Sequence, residues 1–158
     1  MSLKFPKPGV NHVGSYQLSG VPFVTSSAPA ELGDTPVSIE FPFVTRWLEI
    51  KNTGGIKDPD GKSGYLKFGF SQNGVKGPLA DTDFSALGSN ANFFVVEPSG
   101  STGRLELRCK QIFLARSGTT NVGFSLIAGL TGIEEFPVLT ASFDVSASSN
   151  LNGFEGIG

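Results

Sequence analysis

Apolar and polar side chains alternate along much of this chain with a period of two, which is typical of half-buried β-strands. The alternation is clearest where Leu105, Leu107 and Cys109 are interleaved with arginine and glutamate. In a strand this pattern turns one set of side chains to the core and the other to solvent, so we predict a strand over 104–109. The same pattern predicts strands at 37–43, 122–130 and 138–145.

Shorter segments rich in β-branched and aromatic residues predict further strands, and these lie near 13–18, 46–51, 65–70, 92–96 and 112–115. Pro42 interrupts the segment 37–43 and marks it as an edge strand or a bulge, because proline cannot donate a ladder hydrogen bond. Clusters of Gly, Pro, Asn, Asp and Ser predict turns between the strands, at 52–55, 58–61, 73–74, 98–100 and 116–118.

About eight short strands, with no apolar stripe of helical period, predict an all-β fold: an antiparallel β-sandwich or barrel, with a jelly roll as the first choice of topology. The long segment 76–90 is predicted to be a surface loop with one helical turn at 81–87. The alternation also predicts which side chains form the core between two sheets, namely Leu105, Leu107, Cys109, Phe124, Leu126, Ala128, Phe143 and Val145.

The length of 158 residues fits one domain. We expect 1–20 to form an N-terminal arm with the first strand, 21–145 a single β-sandwich domain, and 146–158 a glycine-rich C-terminal tail. Ordering a residue costs about 1 to 2 kcal/mol of backbone entropy, which a polar tail offsets only by burying its few apolar side chains in an existing surface. The expected assembly contacts of the two ends are Tyr16, Leu151, Phe154 and Ile157.

Charge and composition disfavour several kinds of partner. The net charge is −2, and no run of like charges provides the basic surface that nucleic-acid binding needs. No apolar stretch approaches the length of a membrane span, so neither nucleic acid nor membrane is an expected partner. The single cysteine excludes a disulfide within the chain.

Catalytic chemistry is not expected. His12 is the only histidine, and no acid or nucleophile lies near it in sequence, so we interpret it as a surface or capping imidazole. Cys109 occupies an inward strand position suited to a small apolar side chain, whereas a catalytic thiol needs a partly exposed, electropositive setting. The chain is therefore predicted not to be an enzyme.

Two short patterns resemble ligand-binding loops and fail. Residues 55–63 end in Gly-Lys-Ser, but the glycine spacing is one residue too long for a phosphate-binding loop and a strand follows where a helix is needed. Asp58 and Asp60 could begin a calcium loop, yet Lys62 stands at the third ligand position and no bidentate glutamate follows. Asp81 and Asp83 more simply cap a helical turn, so no metal or cofactor is predicted.

Aromatic side chains offer the one alternative function. Sugar-binding sandwiches stack pyranose rings on exposed aromatics, and Trp47 shares its predicted strand face with Glu49 and Lys51. Trp47 and Tyr65 are therefore a candidate ligand platform. Under this hypothesis the protein is a carbohydrate-binding or adhesion module of a phage or cell surface, with a glycan as its partner.

A family likeness is carried by six strings, which are His12-Val-Gly-Ser-Tyr-Gln, Pro22-Phe-Val, Phe41-Pro-Phe-Val-Thr-Arg-Trp, Gly69-Phe-Ser-Gln-Asn-Gly-Val, Asn92-Phe-Phe-Val-Val and Ile127-Ala-Gly-Leu-Thr-Gly-Ile. Together they resemble small β-sandwich virion proteins of tailed phages and large DNA viruses that serve as minor capsid, cement or decoration subunits. The resemblance implies a location in the virion and a non-enzymatic role in assembly with other capsid proteins and with copies of the same chain. It implies no cofactor.

Overall fold

A computed structural model of the chain describes residues 13–14, 20–32, 35–54, 64–76, 92–117 and 122–134. Within these residues lie seven strands and one short helix with defined bounds, besides the two helical residues Val13 and Gly14. They are β1 (Val21–Leu32), β2 (Val37–Glu40), β3 (Thr45–Asn52), β4 (Tyr65–Gly69), α1 (Gln72–Lys76), β5 (Phe94–Val96), β6 (Gln111–Ser117) and β7 (Val122–Leu130). The prediction of an all-β fold is confirmed.

The strands form two antiparallel sheets. The three-stranded sheet has the order β1-β7-β3, and the four-stranded sheet has the order β2-β6-β4-β5. Both sheets contribute to one cluster of buried apolar side chains, for example Leu48 and Leu126 from the first sheet and Leu66 and Leu114 from the second. Two antiparallel sheets around one core are the arrangement of a β-sandwich.

Most predicted strands coincide with observed ones. The segments near 46–51, 65–70, 92–96, 112–115 and 122–130 overlap β3, β4, β5, β6 and β7 respectively. The segment 37–43 is strand only at β2, which ends before Pro42 and lies at an edge of its sheet, as the proline indicated. The predicted strand at 138–145 and the helical turn at 81–87 lie outside the described residues.

The strand predicted over 104–109 is wrong. Within it only Leu105 forms a β-bridge, exchanging backbone hydrogen bonds of 2.8 and 2.9 Å with Leu48. The Leu107 N–H then turns back to the Leu105 carbonyl (3.1 Å). Beyond it, the Thr45 hydroxyl donates to the Leu107 carbonyl (2.7 Å) and accepts the Cys109 N–H (2.9 Å). The Cys109 carbonyl also accepts the Thr45 N–H (3.0 Å). The Thr45 hydroxyl and this single backbone bond therefore stand where a regular ladder would continue.

The predicted core agrees with the structure wherever the structure describes it. Cys109, Phe124, Leu126 and Ala128 are buried, and Leu105 and Leu107 are half-buried against the same cluster, whereas Phe143 and Val145 lie outside the described residues. In the predicted N-terminal strand at 13–18, Val13 and Gly14 are helical instead, and its other residues are not described.

Strand β1 was missed by the sequence pattern because its inward positions are mostly polar. Its residues Phe23, Thr25 and Ser27 pair with Ala128, Leu126 and Phe124 of β7 and share their side of the sheet. Only Phe23 of these three is apolar and packs against the core. Pairing with the apolar strand β7, rather than its own composition, makes this segment a strand.

Two predicted turns have different outcomes. The turn at 98–100 is confirmed, since the Gly100 N–H bonds to the Glu97 carbonyl (2.9 Å) and Ser99 has the positive φ of 59° that such a turn demands. The turn predicted at 73–74 lies instead within helix α1, where the Ser71 hydroxyl caps the helix by accepting the Gly74 N–H (3.0 Å).

Asn52 joins the two sheets at the end of β3. Its side chain is fully buried. The amide Nδ2 donates to the carbonyls of Gly64 (2.7 Å), just before β4, and Val96 (3.1 Å), at the end of β5, while Oδ1 accepts the Gly54 N–H (2.9 Å). One side chain therefore binds three backbone groups from different segments at this end of the sandwich.

We expect Asn52→Ala to destabilise the fold by about 3 kcal/mol, because it removes three buried hydrogen bonds and a buried backbone group that is left unsatisfied costs about 1 to 3 kcal/mol. Urea unfolding followed by circular dichroism measures the loss. Thr53→Ala is the matched control, since the neighbouring Thr53 side chain is exposed. Equal stabilities of the two variants would contradict the role given to Asn52.

Candidate functional site

Cys109, the one candidate nucleophile that the structure describes, is sealed in the core. Its side chain is 1% exposed. Its sulfur lies 3.3 Å from the Thr45 hydroxyl oxygen. The same hydroxyl donates a hydrogen bond to the Leu107 carbonyl. The neighbouring Arg108 is exposed. Reagents therefore have no direct access to the thiol in the folded protein.

Burial also makes this thiol a poor nucleophile. Loss of hydration raises the pKa of Cys109 from the ordinary value of 9.0 to about 11, and the hydrogen bond with Thr45 acts weakly in the opposite direction. The thiolate is the reactive form, so the thiol is protonated and inert near neutral pH. This geometry supports the packing role that the sequence indicated.

The raised pKa predicts a pH dependence of stability. The folded state holds the Cys109 proton more tightly than the unfolded state, so this contribution is fully present below about pH 9 and is lost as the pH rises through about 11. A difference of about two pKa units corresponds to about 2 to 3 kcal/mol.

Urea unfolding from pH 8 to 11.5 should therefore show the unmodified protein losing about 2 to 3 kcal/mol more than Cys109→Ser, which has no thiol to titrate. Near pH 7 the variant should be folded with a modest loss of stability. Parallel stability curves for the two proteins would contradict the burial argument.

Trp47 lies on the outer face of the three-stranded sheet, half-buried, where it pairs with Gly129. The indole covers Gly129 so closely that a Cβ at that position would overlap the ring. The Arg104 guanidinium carbon lies 4.9 Å from the centre of the same ring, and Arg104 is held by Glu106 at 2.7 Å. The indole is thus already packed between a backbone and a cation.

Tyr65 lies on the other side of the molecule. Its neighbours Leu66 and Phe68 in β4 alternate into the shared core, so Tyr65, which precedes Leu66, faces outward from the four-stranded sheet. Trp47 and Tyr65 therefore occupy opposite outer faces, and the structure does not bring them together as one ligand platform.

Other candidate residues cannot be placed. His12, Asp58, Asp60 and Lys62 lie outside the described residues, as do Asp81 and Asp83. The four expected assembly anchors, Tyr16, Leu151, Phe154 and Ile157, also lie outside them. Within the described part of the chain, no three His, Cys, Asp or Glu side chains cluster as metal ligands would.

Two exposed apolar side chains that the sequence analysis did not single out lie next to each other on one sheet. On the outer face of the three-stranded sheet, Val24 of β1 lies beside Ile127 of β7, and their side chains are 66% and 41% exposed. Glu49 of β3 continues this row and accepts a hydrogen bond from the Ser101 hydroxyl (2.7 Å). Alternation within β7 indicated that Ile127 faces outward, but β1 had to be recognised before Val24 could be added.

The packing of Trp47 predicts a spectroscopic change. Arg104→Ala uncovers the only tryptophan, so its emission should shift to longer wavelength and acrylamide should quench it more strongly, with a stability loss of about 1 kcal/mol. Glu106→Ala is the control, because it removes the ion pair and leaves the guanidinium. Identical spectra for the two variants would show that Arg104 does not cover the indole in solution.

Comparisons with known proteins give no family for this chain. No protein-family model, no curated protein and no solved structure matches it. Among the described residues, no helix is long and apolar enough to cross a membrane. The function must therefore be argued from the strand arrangement and the surfaces described above.

Proposed function

We propose that this protein is a non-enzymatic virion structural protein, a minor capsid, cement or decoration subunit that acts through protein–protein contacts in a shell. The order in which the strands pair is the observation that carries the proposal. The proposal also draws on the sequence strings that resemble small virion proteins.

Strand pairing is nested along the chain. The first strand, β1, pairs with the last described strand, β7, and β2 pairs with β6. Inside these pairs, β3 bridges residues 101–105, and β4 pairs with β5. If 101–105 counts as an eighth strand, the described strands form one long antiparallel hairpin folded over into two four-stranded sheets.

A hairpin rolled up in this way is the arrangement of a jelly roll, which viral capsid and lectin domains use. The nested order supports the jelly-roll topology that the sequence favoured. Fold alone does not establish function. The choice between viral assembly and glycan binding therefore depends on the side chains exposed on the two sheets.

Those surfaces favour assembly. The indole of Trp47 is packed under Arg104, and Tyr65 is on the opposite face, which leaves no shared aromatic platform for a sugar ring. Several strand residues instead expose apolar side chains. Among them are Val24 and Ile127 on the three-stranded sheet and Phe94 (57% exposed) on the four-stranded sheet. Apolar groups at such positions favour contacts with other proteins.

Particles purified from the system that encodes the chain test this proposal. We expect the protein to co-sediment with them in repeated copies, detected by mass spectrometry and by antibody labelling in the electron microscope. A protein found only as a free 16.6 kDa monomer would contradict the proposal. Glycan binding that quenches Trp47 emission would favour the carbohydrate-binding alternative.

The C-terminal tail gives a second test of the same proposal. Deleting 146–158 should leave the domain folded with near-normal melting and weaken its incorporation into particles, because the tail is expected to anchor on neighbours. A full-length variant with Leu151, Phe154 and Ile157 changed to Ser separates loss of anchors from loss of length. Normal incorporation of both variants would show that the tail is not an assembly arm, and unfolding would place it in the domain's own core.

A further inference from the structure

Among the described strands, β1 has a long edge that no other strand covers. Strands β2 and β5, at the edges of the four-stranded sheet, span only Val37–Glu40 and Phe94–Val96. In the three-stranded sheet, the edge of β3 is covered by residues 100–105. Strand β1 spans Val21–Leu32, and no strand in the described part of the chain pairs with its outer edge.

Backbone hydrogen bonds show which groups face outward from β1. The N–H groups of Leu48 and Ile50 point away from β7, toward residues 100–105. Groups on an antiparallel strand alternate in direction, so their β7 partners, Ala128 and Leu126, direct their backbone groups to β1.

The β1 residues opposite Ala128 and Leu126 are Phe23 and Thr25, and these take the β7 bonds. Pro22, Val24 and Ser26 therefore turn their backbone groups to the open side. Pro22 has no N–H to offer, and an edge is where a strand tolerates it.

We propose that the open edge of β1 binds β1 of a second copy of this chain, antiparallel across a two-fold axis at Val24, so that the two three-stranded sheets join. This contact is a partner surface for the proposed assembly function, and its biological role rests on that function.

The two-fold axis is located by the strand itself. Regular pairing with β7 runs over 21–27 and is broken by a register shift between Ser27 and Leu32, so Val24 is the middle of the regular stretch. Centring on Val24 pairs Val24 with its symmetry mate and Ser26 with Pro22 of the other copy. Each Ser26 N–H then meets a Pro22 carbonyl, and about four main-chain hydrogen bonds form. An axis at Pro22 would place two residues without donors opposite each other.

The side chains favour a second copy as the occupant. No charged residue occurs from Val21 to Ala30, so symmetric pairing brings no like charges together, and charges on an edge are a common device against such pairing. The most exposed apolar side chain of the outer row, Val24, would be covered by its own symmetry mate. Ile127 in the neighbouring strand extends the same apolar surface on each copy.

Disulfide capture tests the contact in the full chain. Residues opposite each other in a hydrogen-bonded pair lie about 5.5 Å apart between Cα atoms, within the range of a disulfide, so Val24→Cys should give a covalent dimer of the 16.6 kDa chain under mild oxidation. Val21→Cys is the matched control. It is similarly exposed (57%), but its symmetry mate would lie about 20 Å away.

We expect at least a tenfold faster cross-linking of Val24→Cys than of Val21→Cys, and a shift of Val24→Lys toward monomer in sedimentation. Equal rates would mean random collision and would overturn the proposal. A Val24→Cys protein that stays monomeric would also overturn it, whether another segment or another protein occupies the edge.

The outcomes also separate this inference from the assembly function. Incorporation into particles without the cross-link contradicts only the β1 contact. The cross-link in a protein that never enters particles supports the contact and contradicts the virion proposal.

Discussion

The sandwich depends on satisfying the buried backbone groups at the two ends of β3. At its start, the Thr45 hydroxyl bonds to Leu107 and Cys109; at its end, the Asn52 amide bonds to Gly54, Gly64 and Val96. Both side chains are fully buried. An unpaired buried backbone group costs more free energy than a hydrogen bond gains, so these two side chains permit the strands to stop and turn inside the protein.

This constraint makes the two edges of the three-stranded sheet unequal. Because Thr45 and Asn52 hold the segments that precede and follow 100–105, that segment lies against β3 and closes its edge. The edge that this segment closes is therefore the one beside the two polar side chains, whereas no described strand pairs with the opposite edge, that of β1.

The sequence predicted the fold class and the core well, because both follow from alternation along single strands. Phe124, Leu126 and Ala128 needed only their own spacing to be assigned inward. Alternation failed at 104–109, where side chains alternate as in a strand while the Thr45 hydroxyl, more than 60 residues away in sequence, takes the backbone bonds. For β1 the error was the reverse, because a real strand was not predicted. Thr25 and Ser27 are polar, and only their pairing with β7 shows that they occupy inward positions.

Candidate functional residues were harder to predict than the core, because their surroundings are set by residues that are distant in sequence. Trp47 was expected on the same strand face as Glu49 and Lys51, and it lies on the outer face of its sheet. Its indole is covered, however, because Arg104 packs over it and because Gly129 has no side chain to keep it away from the backbone. Neither contact has a local sequence signal. A single exposed position on a strand therefore says little about binding until the neighbouring strands are known.

The same long-range dependence links fold to function. In two sheets packed face to face, the inner faces form the core, so binding surfaces lie at strand edges and on the outer faces. In this protein one outer face carries a tryptophan that its own arginine covers, and one edge carries uncharged residues with outward-facing backbone groups. A lectin needs the first surface open, whereas a shell subunit needs a surface that repeats between copies. The cover of Arg104 over Trp47 therefore weighs against the glycan-binding alternative, and the β1 edge is the surface that the proposed assembly would use.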